Sequence, residues 1–288
     1  MPNTTINGWN IAYHESGAGV PILCIHGGFG GPQGAFLPAM PYFPTALGMG
    51  FRVIEYDRRN CRLSEMREAT YTQDDLAAEA AGILDHLGLE RAIVVGDSMG
   101  GTIAQSFALA FPERVVGLAL VETSAHMKDA PFYGPLKELI AVADREGADA
   151  VFERRRRAIY EPQLPPNIAS LPEERRTALQ AQLDAVGKAL QAVGEPKVKE
   201  VALGELCNWR AHLDFDTRSQ LAELARHRTL VLHGDIDPTV PTDHGRDLHA
   251  AIPGSELFLV PGGQQGILVW PEGRRALSDW ALRMAAKI

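Results

Sequence analysis

The chain has 288 residues, a formal net charge of −8 and a pI of about 5.6, with 45% hydrophobic and 22% charged residues. This composition is typical of a globular protein, and the acidic balance argues against nucleic acid or anionic membrane as a partner, because both bind basic surfaces. The three cysteines lie far apart in the sequence, so we expect reduced thiols in a cytoplasmic protein. The N-terminal segment lacks the pattern of a signal peptide, and no apolar stretch is long enough to span a bilayer. The oligomeric state stays open, with a homo-oligomer as one option.

Short apolar runs alternate with helical periodicities along the chain. The first predicted strand, 6–14, is interrupted by Asn7-Gly8, a hairpin signal. Further strands are predicted at 20–25, 51–56, 91–95, 115–121, 229–232 and 256–260, and helices at 72–87, 102–111 and 273–286. This rhythm predicts an α/β fold with a mostly parallel sheet of about eight strands, covered by helices on both faces.

One stretch breaks the rhythm. Residues 131–215 contain no convincing strand and are rich in Ala, Leu, Glu and Arg. We therefore predict an inserted helical cap at 131–215, with 1–130 and 216–288 forming the core. The aromatic residues of the stretch are expected mainly to pack the cap, with one or two lining an apolar ligand pocket; they are Phe132, Tyr133, Phe152, Tyr160 and Trp209.

The segment Gly96–Gly101 reads Gly-Asp-Ser-Met-Gly-Gly between a predicted strand and a predicted helix. A Gly-x-Ser-x-Gly pattern in this setting is typical of a nucleophile elbow, a sharp turn that displays the serine hydroxyl at the edge of a sheet. Its glycines are needed because a side chain there would collide with neighbouring elements. Ser98 is therefore the candidate nucleophile.

With this motif the sequence resembles the α/β-hydrolase superfamily, and within it capped esterases, prolyl aminopeptidases and carbon–carbon or lactone hydrolases. The resemblance covers almost the whole chain outside 131–215. It implies the α/β-hydrolase fold, a small-molecule substrate, and a reaction that needs neither metal nor cofactor. The segment His26–Gly30 reads His-Gly-Gly-Phe-Gly. By resemblance it supplies one side of an oxyanion hole, with backbone donors at Gly28, or alternatively Phe29, and at Met99.

The resemblance also places the catalytic acid. Residues 234–241 read Gly-Asp-Ile-Asp-Pro-Thr-Val-Pro and follow a predicted strand. The family pattern Gly-x-x-Asp-x-x-x-Pro makes Asp237 the orienting acid, with Asp235 as the fallback. Glu122, at the end of the strand before the cap, occupies a known alternative acid position, although we expect a structural carboxylate there.

The base position departs from the family. After the strand that ends at Val260, the family reads Pro-Gly-x-Gly-His, whereas residues 261–266 read Pro-Gly-Gly-Gln-Gln-Gly. Gln265 thus stands where the catalytic histidine is expected. An amide can exchange hydrogen bonds with Ser98 and Asp237 but cannot accept the hydroxyl proton. Losing the base of such a triad costs on the order of 10⁶ in turnover.

Three explanations compete. Gln265 is an engineered replacement, or the protein has diverged naturally to other chemistry, or another histidine supplies the base. For the third, His126 could lie at the mouth of the cap, while His244 is a weaker candidate. A second departure favours natural divergence: in the loop 56–64, two family glycines are replaced by Asn60 and Arg62. Because arginine tolerates left-handed backbone angles poorly, we expect this loop to be reshaped.

Two functional hypotheses follow. The first is a serine hydrolase acting on an ester, lactone, amide or carbon–carbon bond, with hydrolysis weakened by the missing base. The second is a non-hydrolytic protein of the same fold, either a lyase or cyclase or a ligand-binding protein, which uses the oxyanion hole to hold a carbonyl group.

Overall fold

The computed structural model describes residues 2–28, 43, 47, 49–131, 133–161 and 173–286. Its centre is an eight-stranded sheet in the order β1-β2-β4-β3-β5-β6-β7-β8. The strands are β1 Asn3–Ile6, β2 Trp9–Gly17, β3 Val20–Ile25, β4 Phe51–Tyr56, β5 Ala92–Asp97, β6 Val115–Val121, β7 Thr229–Gly234 and β8 Glu256–Val260. From β4 through β8 all neighbouring strands are parallel, whereas β1 and β2 add to the edge in antiparallel fashion. The predicted fold class is confirmed.

The first predicted strand is in fact a hairpin. Asn7 and Gly8 connect β1 to β2, with φ angles of 50° and 77°. Two consecutive positive φ angles are what a tight hairpin turn with the right-handed twist requires, and Asn-Gly supplies them at low cost.

Among the described residues, helices occur at the three segments that the sequence pattern predicts and at further segments between them. They are α1 Gln73–His86, α2 Met99–Ala110, α3 Tyr133–Glu146, α4 Ala148–Tyr160, α5 Glu173–Val193, α6 Glu195–His212, α7 Thr242–Ala251 and α8 Pro271–Ala285. Helix α1 begins with a capping box in which Thr72 and Asp75 each accept a backbone N–H of the other residue. Helix α2 begins three residues before its predicted start, because the turn at Ser98 leads straight into the helix.

Alternate residues of the central strands support two separate cores. In β5, Val94 belongs to the apolar cluster that includes Phe107 of α2, whereas Ile93 and Val95 belong to the cluster that includes Trp280 of α8. Successive side chains of a strand point to opposite faces of a sheet, so the two clusters lie on its two sides. The carboxyl ends of the parallel strands are thus held rigidly between two packed layers.

The loop after β4 has left-handed backbone angles at both replaced glycines, including Arg62, where we did not expect one. Asn60 and Arg62 have φ angles of 58° and 46°, inside the left-handed region. The expectation that Arg62 forces another shape on this loop is therefore wrong. The Asn60 N–H donates to Glu65 O at 3.0 Å and the Leu63 N–H donates to a carboxylate oxygen of Asp57 at 3.2 Å. These bonds offset the cost of a left-handed residue, about 1–2 kcal/mol.

Between β6 and β7 the described residues form the helices α3 to α6. They pack through two small apolar clusters that are separate from those of the sheet, one around Leu136 and Ile140 and the other around Phe152 and Leu190. The division of the chain into a core and an inserted cap stays a prediction. Among the described residues, no helix is both long and apolar enough to cross a membrane.

The two-sided core gives a direct test of stability. Phe107 is fully buried between α2 and the sheet, whereas Phe258 on the edge strand β8 is 40% exposed. We expect Phe107→Ala to lower the free energy of unfolding by about 3–5 kcal/mol, because it leaves a cavity. The matched Phe258→Ala should cost less than about 1 kcal/mol. Equal losses for the two variants in urea titrations would contradict this core assignment.

Candidate active site

The turn that carries Ser98 is the most strained feature of the site. Ser98 lies between β5 and α2 with φ of 52° and ψ of −117°. The Ser98 N–H donates to Val121 O at 2.8 Å, and the Thr123 hydroxyl donates to Ser98 O at 2.7 Å. A serine adopts such angles only when its surroundings over-determine them, and this strain is typical of functional positions.

Three glycines make the tight turn possible. A Cβ atom at Gly96 would collide with the backbone of Gly100, and one at Gly100 would collide with the backbone of β3 at Ile25. A Cβ at Gly101 would overlap the side chain of Thr123. The motif is therefore required by close backbone packing, and not only by the conformational freedom of glycine.

The two predicted oxyanion residues lie together. A Cβ at Gly28 would be 3.7 Å from Met99 Cε and 3.6 Å from Trp209 Cζ2. Met99 is the first residue of α2, where backbone N–H groups have no partner within the helix. Phe29, the alternative donor, lies outside the described residues. A Cβ at Gly27 would be 3.0 Å from Ser98 Cβ, so this segment also lies against the nucleophile turn.

The carbonyl of Gly27 accepts two hydrogen bonds from buried side chains. His26 Nδ1 is 2.7 Å from Gly27 O, and Arg58 Nη2 donates to the same oxygen at 3.0 Å. The Arg58 backbone N–H points at His26 Nε2 at 3.3 Å, which assigns the proton of this imidazole to Nδ1. Burial, and then the charge of Arg58, lower the pKa of His26, in keeping with a neutral ring.

The described aromatic residues of α3 to α6 differ in their surroundings. Phe152 is 1% exposed and packs within the cluster around Leu190. Trp209 on α6 lies next to Gly28, as described above, and its indole N–H donates to Glu205 at 3.3 Å. Phe132 lies outside the described residues. Trp209 is thus the aromatic residue of α3 to α6 that the structure places beside Gly28.

Asp237 follows β7 and is buried. Its Oδ1 accepts the backbone N–H groups of Thr239 at 2.8 Å and Val240 at 3.1 Å. Its Oδ2 is buried, has no hydrogen-bond partner in the part of the chain that is described, and lies 3.8 Å from His233 Nε2. The fallback residue Asp235 instead accepts the backbone N–H of Gly262 at 2.7 Å and braces the loop after β8.

Gln265 is half-buried in that same loop. Its Oε1 atom is buried without a hydrogen-bond partner among the described residues. The loop is anchored by Glu122, which accepts the backbone N–H groups of Gly266 at 2.8 Å and Ile267 at 3.1 Å. Glu122 is fully buried and has a φ of 47°. The structure therefore gives Glu122 the structural role that the sequence suggested, in holding the loop of Gln265.

The carboxyl groups of Asp97, Glu122 and Asp237 interact electrostatically near the turn at Ser98. Burial raises the pKa of Asp97, and the charge of Asp237 raises it further. Burial also raises the pKa of Glu122, with added repulsion from Asp97 and Asp237. Burial raises the pKa of Asp237, while its two backbone hydrogen bonds oppose the shift. Each of the three carboxyl groups therefore binds a proton more readily than a carboxyl group in water does.

The candidate replacement bases do not reach the serine through any described contact. All nine histidines are described, and none of their described hydrogen bonds involves Ser98. His126 stacks edge-on against His244 with ring centroids 5.4 Å apart, and its Nε2 is 3.5 Å from Asp129. The structure thus pairs the two histidines with each other. That His126 or His244 supplies the base stays a prediction.

Sequence reasoning missed two residues beside the elbow. His212, at the end of α6, is buried with Nε2 3.4 Å from Met99 O. Its pKa is lowered to about 3, mainly by burial and then by the charge of Arg58. Arg58 links Gly27 to α6 as well, since its Nη1 donates to Asn208 Oδ1 at 3.2 Å. No motif position marks His212, and Arg58 occupies a variable position of the family loop.

Comparison with known proteins fits this geometry. A family model described as the alpha/beta hydrolase fold matches residues 20–270. The chain belongs to the α/β-hydrolase family. The predicted resemblance, fold and enzyme class are therefore confirmed at family level. Within the described ranges, no group of three or more His, Cys, Asp or Glu residues is arranged to hold a metal ion.

Individual relatives of this α/β hydrolase are moderately similar. The putative carbamate hydrolase RutD of Azorhizobium caulinodans is 30% identical over 259 residues, covering 88% of this chain and 87% of the relative. A 2-hydroxy-6-oxo-6-phenylhexa-2,4-dienoate hydrolase of Comamonas testosteroni is 27% identical over 243 residues, covering 83% and 78%. The crystal structure of MGS-M2, an alpha/beta hydrolase enzyme from a Medee basin deep-sea metagenome library, has a TM-score of 0.74 at 16% identity and covers 100% of this chain and 98% of its own. At that identity the likeness shows the fold alone.

The carboxyl group of Asp97 predicts a pH-dependent stability. Its pKa is higher in the folded chain than the ordinary value of about 4 in the unfolded chain, so folding takes up a proton above that pH. The free energy of unfolding should therefore fall as the pH rises from about 4 towards the raised pKa. Asp97→Asn removes this titration, and its stability relative to the parent should increase between pH 4 and pH 8. Urea titrations across this range measure the difference.

The neighbouring variant Ser98→Ala is the control, because it removes no titrating group from the same turn. Its stability relative to the parent should stay constant over the range. The difference in unfolding free energy between Asp97→Asn and the parent should grow with pH. A constant difference would show that the pKa of Asp97 is not raised in the folded chain.

Proposed function

We propose that this α/β hydrolase uses Ser98 as the nucleophile against a carbonyl carbon of a small molecule. The bond cleaved is an ester, lactone, amide or carbon–carbon bond. The single observation that carries this proposal is the strained, glycine-enclosed turn at Ser98. It places a hydroxyl group at the carboxyl ends of the parallel strands and at the start of α2. Backbone strain of this kind is typical of positions where the side chain has a function.

The oxyanion hole is formed by the backbone N–H groups of Gly28 and Met99. Both residues border the nucleophile turn, and Met99 adds the free amides and positive dipole at the start of α2. Donors that are fixed before reaction stabilise the negative charge that develops on the carbonyl oxygen. Phe29 remains the alternative donor to Gly28 in this proposal.

Asp237 is the acid of the proposed triad, and Gln265 stands in place of its base. Asp237 has one buried carboxylate oxygen without a hydrogen-bond donor among the described residues, which is consistent with an acid whose imidazole partner is missing. The amide of Gln265 cannot take the proton that Ser98 must lose during attack. Hydrolysis by this chain should therefore be slow, whether the glutamine arose by replacement or by divergence.

The helices α3 to α6 form the proposed cap at 131–215 over the core at 1–130 and 216–288. Contact of Trp209 and Asn208 on α6 with Gly28 and Arg58 supports a cap that borders the site directly. An apolar wall of this kind suits a small organic substrate. The names of the relatives, a carbamate hydrolase and a carbon–carbon hydrolase, mark the range of bonds to be tested.

A second candidate function rests on Gln265 itself. A protein that retains the oxyanion donors and replaces only the base can hold a carbonyl group without forming an acyl-enzyme. The Oε1 atom of Gln265 has no hydrogen-bond partner among the described residues, so it could accept a hydrogen bond from a ligand. Such a protein would be a lyase, a cyclase or a binding protein.

Restoring the base separates the two functions. In Gln265→His, we expect hydrolysis of p-nitrophenyl acetate to rise by about 10² or more, the contribution typical of a positioned general base. Initial rates of p-nitrophenol release measure the gain. Adding Ser98→Ala to the same chain should remove it, and a fluorophosphonate should label Ser98 faster in Gln265→His than in the parent.

The adjacent residue provides a matched control, since Gln264→His introduces the same imidazole one position away and should give no gain. Equal rates in the parent, Gln264→His and Gln265→His would overturn the hydrolase proposal. That result would favour the carbonyl-binding alternative.

A further inference from the structure

Arg58 is a buried cation that forms no direct ion pair with any carboxylate of the described residues. Its side chain is 1% exposed, its Nε–H has no hydrogen-bond acceptor, and the described residues place it in no salt bridge. The neighbouring Arg59 behaves differently, because it forms a buried ion pair with Glu79 at 2.7 Å. The charge of Arg58 lowers the pKa of Asp57 and Glu79, but neither carboxylate pairs with it directly. Burying a cation without a direct ion pair costs stability, so its presence calls for another explanation.

The acceptors of Arg58 all border the proposed oxyanion hole. One guanidinium nitrogen donates to Gly27 O at 3.0 Å, and the other lies 3.3 Å from Met99 Sδ and 3.2 Å from Asn208 Oδ1. The backbone N–H of Arg58 also orients His26, whose ring donates to the same Gly27 oxygen. One residue thus contacts the segments of both proposed oxyanion donors.

The bond to Gly27 O acts on the donor itself. The carbonyl of Gly27 and the N–H of Gly28 belong to one peptide group. A charge-assisted bond to the carbonyl oxygen draws electron density from the amide nitrogen and strengthens its N–H as a donor. It also fixes the plane of the peptide, so that the N–H is aimed before any ligand arrives.

We propose that Arg58 is a positioning residue that polarises the Gly27–Gly28 peptide and couples the oxyanion hole to the inserted helix α6. Arg58 acts through Gly28 and need not touch the substrate. The catalytic part rests on the proposed function, whereas the polarisation of the peptide does not. The charge of Arg58 lowers the pKa of both His26 and His212, after burial, so its field extends across this region.

Nuclear magnetic resonance tests the polarisation without any reaction. Combining carbonyl-¹³C glycine with ¹⁵N-glycine selects the glycine–glycine pairs at 27–28, 30–31, 100–101 and 262–263. Gly28 is then assigned from the loss of its signal in Gly28→Ala. In Arg58→Met we expect an upfield shift of the Gly28 amide proton and of the Gly27 carbonyl carbon. Arg58→Lys, which keeps the charge, should give an intermediate shift.

The pair at 100–101 is the internal control. Gly101 N–H donates to Ser98 O at 2.9 Å and does not contact Arg58, so its signal should stay in place if the elbow is intact. An unmoved Gly28 signal in Arg58→Met would overturn the proposal. If Arg58→Met does not fold, the Arg58→Lys spectrum and Asn208→Leu, which removes one anchor of the guanidinium, decide the same question.

Kinetics test the catalytic part in the Gln265→His chain. Adding Arg58→Met should lower kcat for p-nitrophenyl acetate by about tenfold or more with little change in KM, because the interaction strengthens only as the oxyanion forms. Arg58→Lys should recover part of the loss. A raised KM with unchanged kcat would overturn the positioning role. An inactive Gln265→His chain would instead count against the proposed function, while the spectra still report on Arg58.

Discussion

Everything at this site depends on the close approach of the turn at Ser98 to strands β3 and β6. The backbone at Gly100 packs against Ile25 so tightly that no side chain fits between them. That contact forces Ser98 into a left-handed conformation, and the bonds to Val121 and Thr123 hold it there. Because the sheet is packed on both faces, the strain cannot relax without disrupting a core. The hydroxyl, the start of α2 and the Gly27–Gly28 segment are therefore fixed relative to one another.

The same rigidity makes the replacement at Gln265 consequential. The loop that carries it is held by Glu122 and Asp235, which accept backbone N–H groups on both sides of Gln265. Asp237 is left with an oxygen that receives no hydrogen bond in the described part of the chain, and Asp97 is left in the same state. In the function that we propose, the donors for a developing oxyanion are present and the group that would accept the proton of Ser98 is absent. For this reason, introducing a histidine by Gln265→His is a decisive experiment.

The polar residues around the site form two groups with opposite charge. Asp97, Glu122 and Asp237 form the acidic group, in which burial and mutual repulsion favour protonation. Arg58 lies on the side of Gly27 and Met99, where it has no carboxylate partner among the described residues. The positive charge of Arg58 favours a negative charge that develops on a carbonyl oxygen near Gly27 and Met99. This arrangement is consistent with the roles proposed for Gly28 and Met99.

The sequence by itself determined the fold class, the elbow at Ser98, the acid candidate Asp237 and the departure at Gln265. These features depend on local patterns, namely strand and helix periods, glycine spacing and motifs that follow particular strands. Only the tertiary structure revealed the positions of Arg58 and His212 beside Met99, because α6 and the loop after β4 are about 150 residues apart in sequence and meet only when the chain folds. It also corrected the loop at Arg62, where hydrogen bonds to Asp57 and Glu65 outweigh a local preference. Long-range contacts and the balance between burial and backbone strain cannot be read from a local sequence pattern. They determine which side chains surround the site.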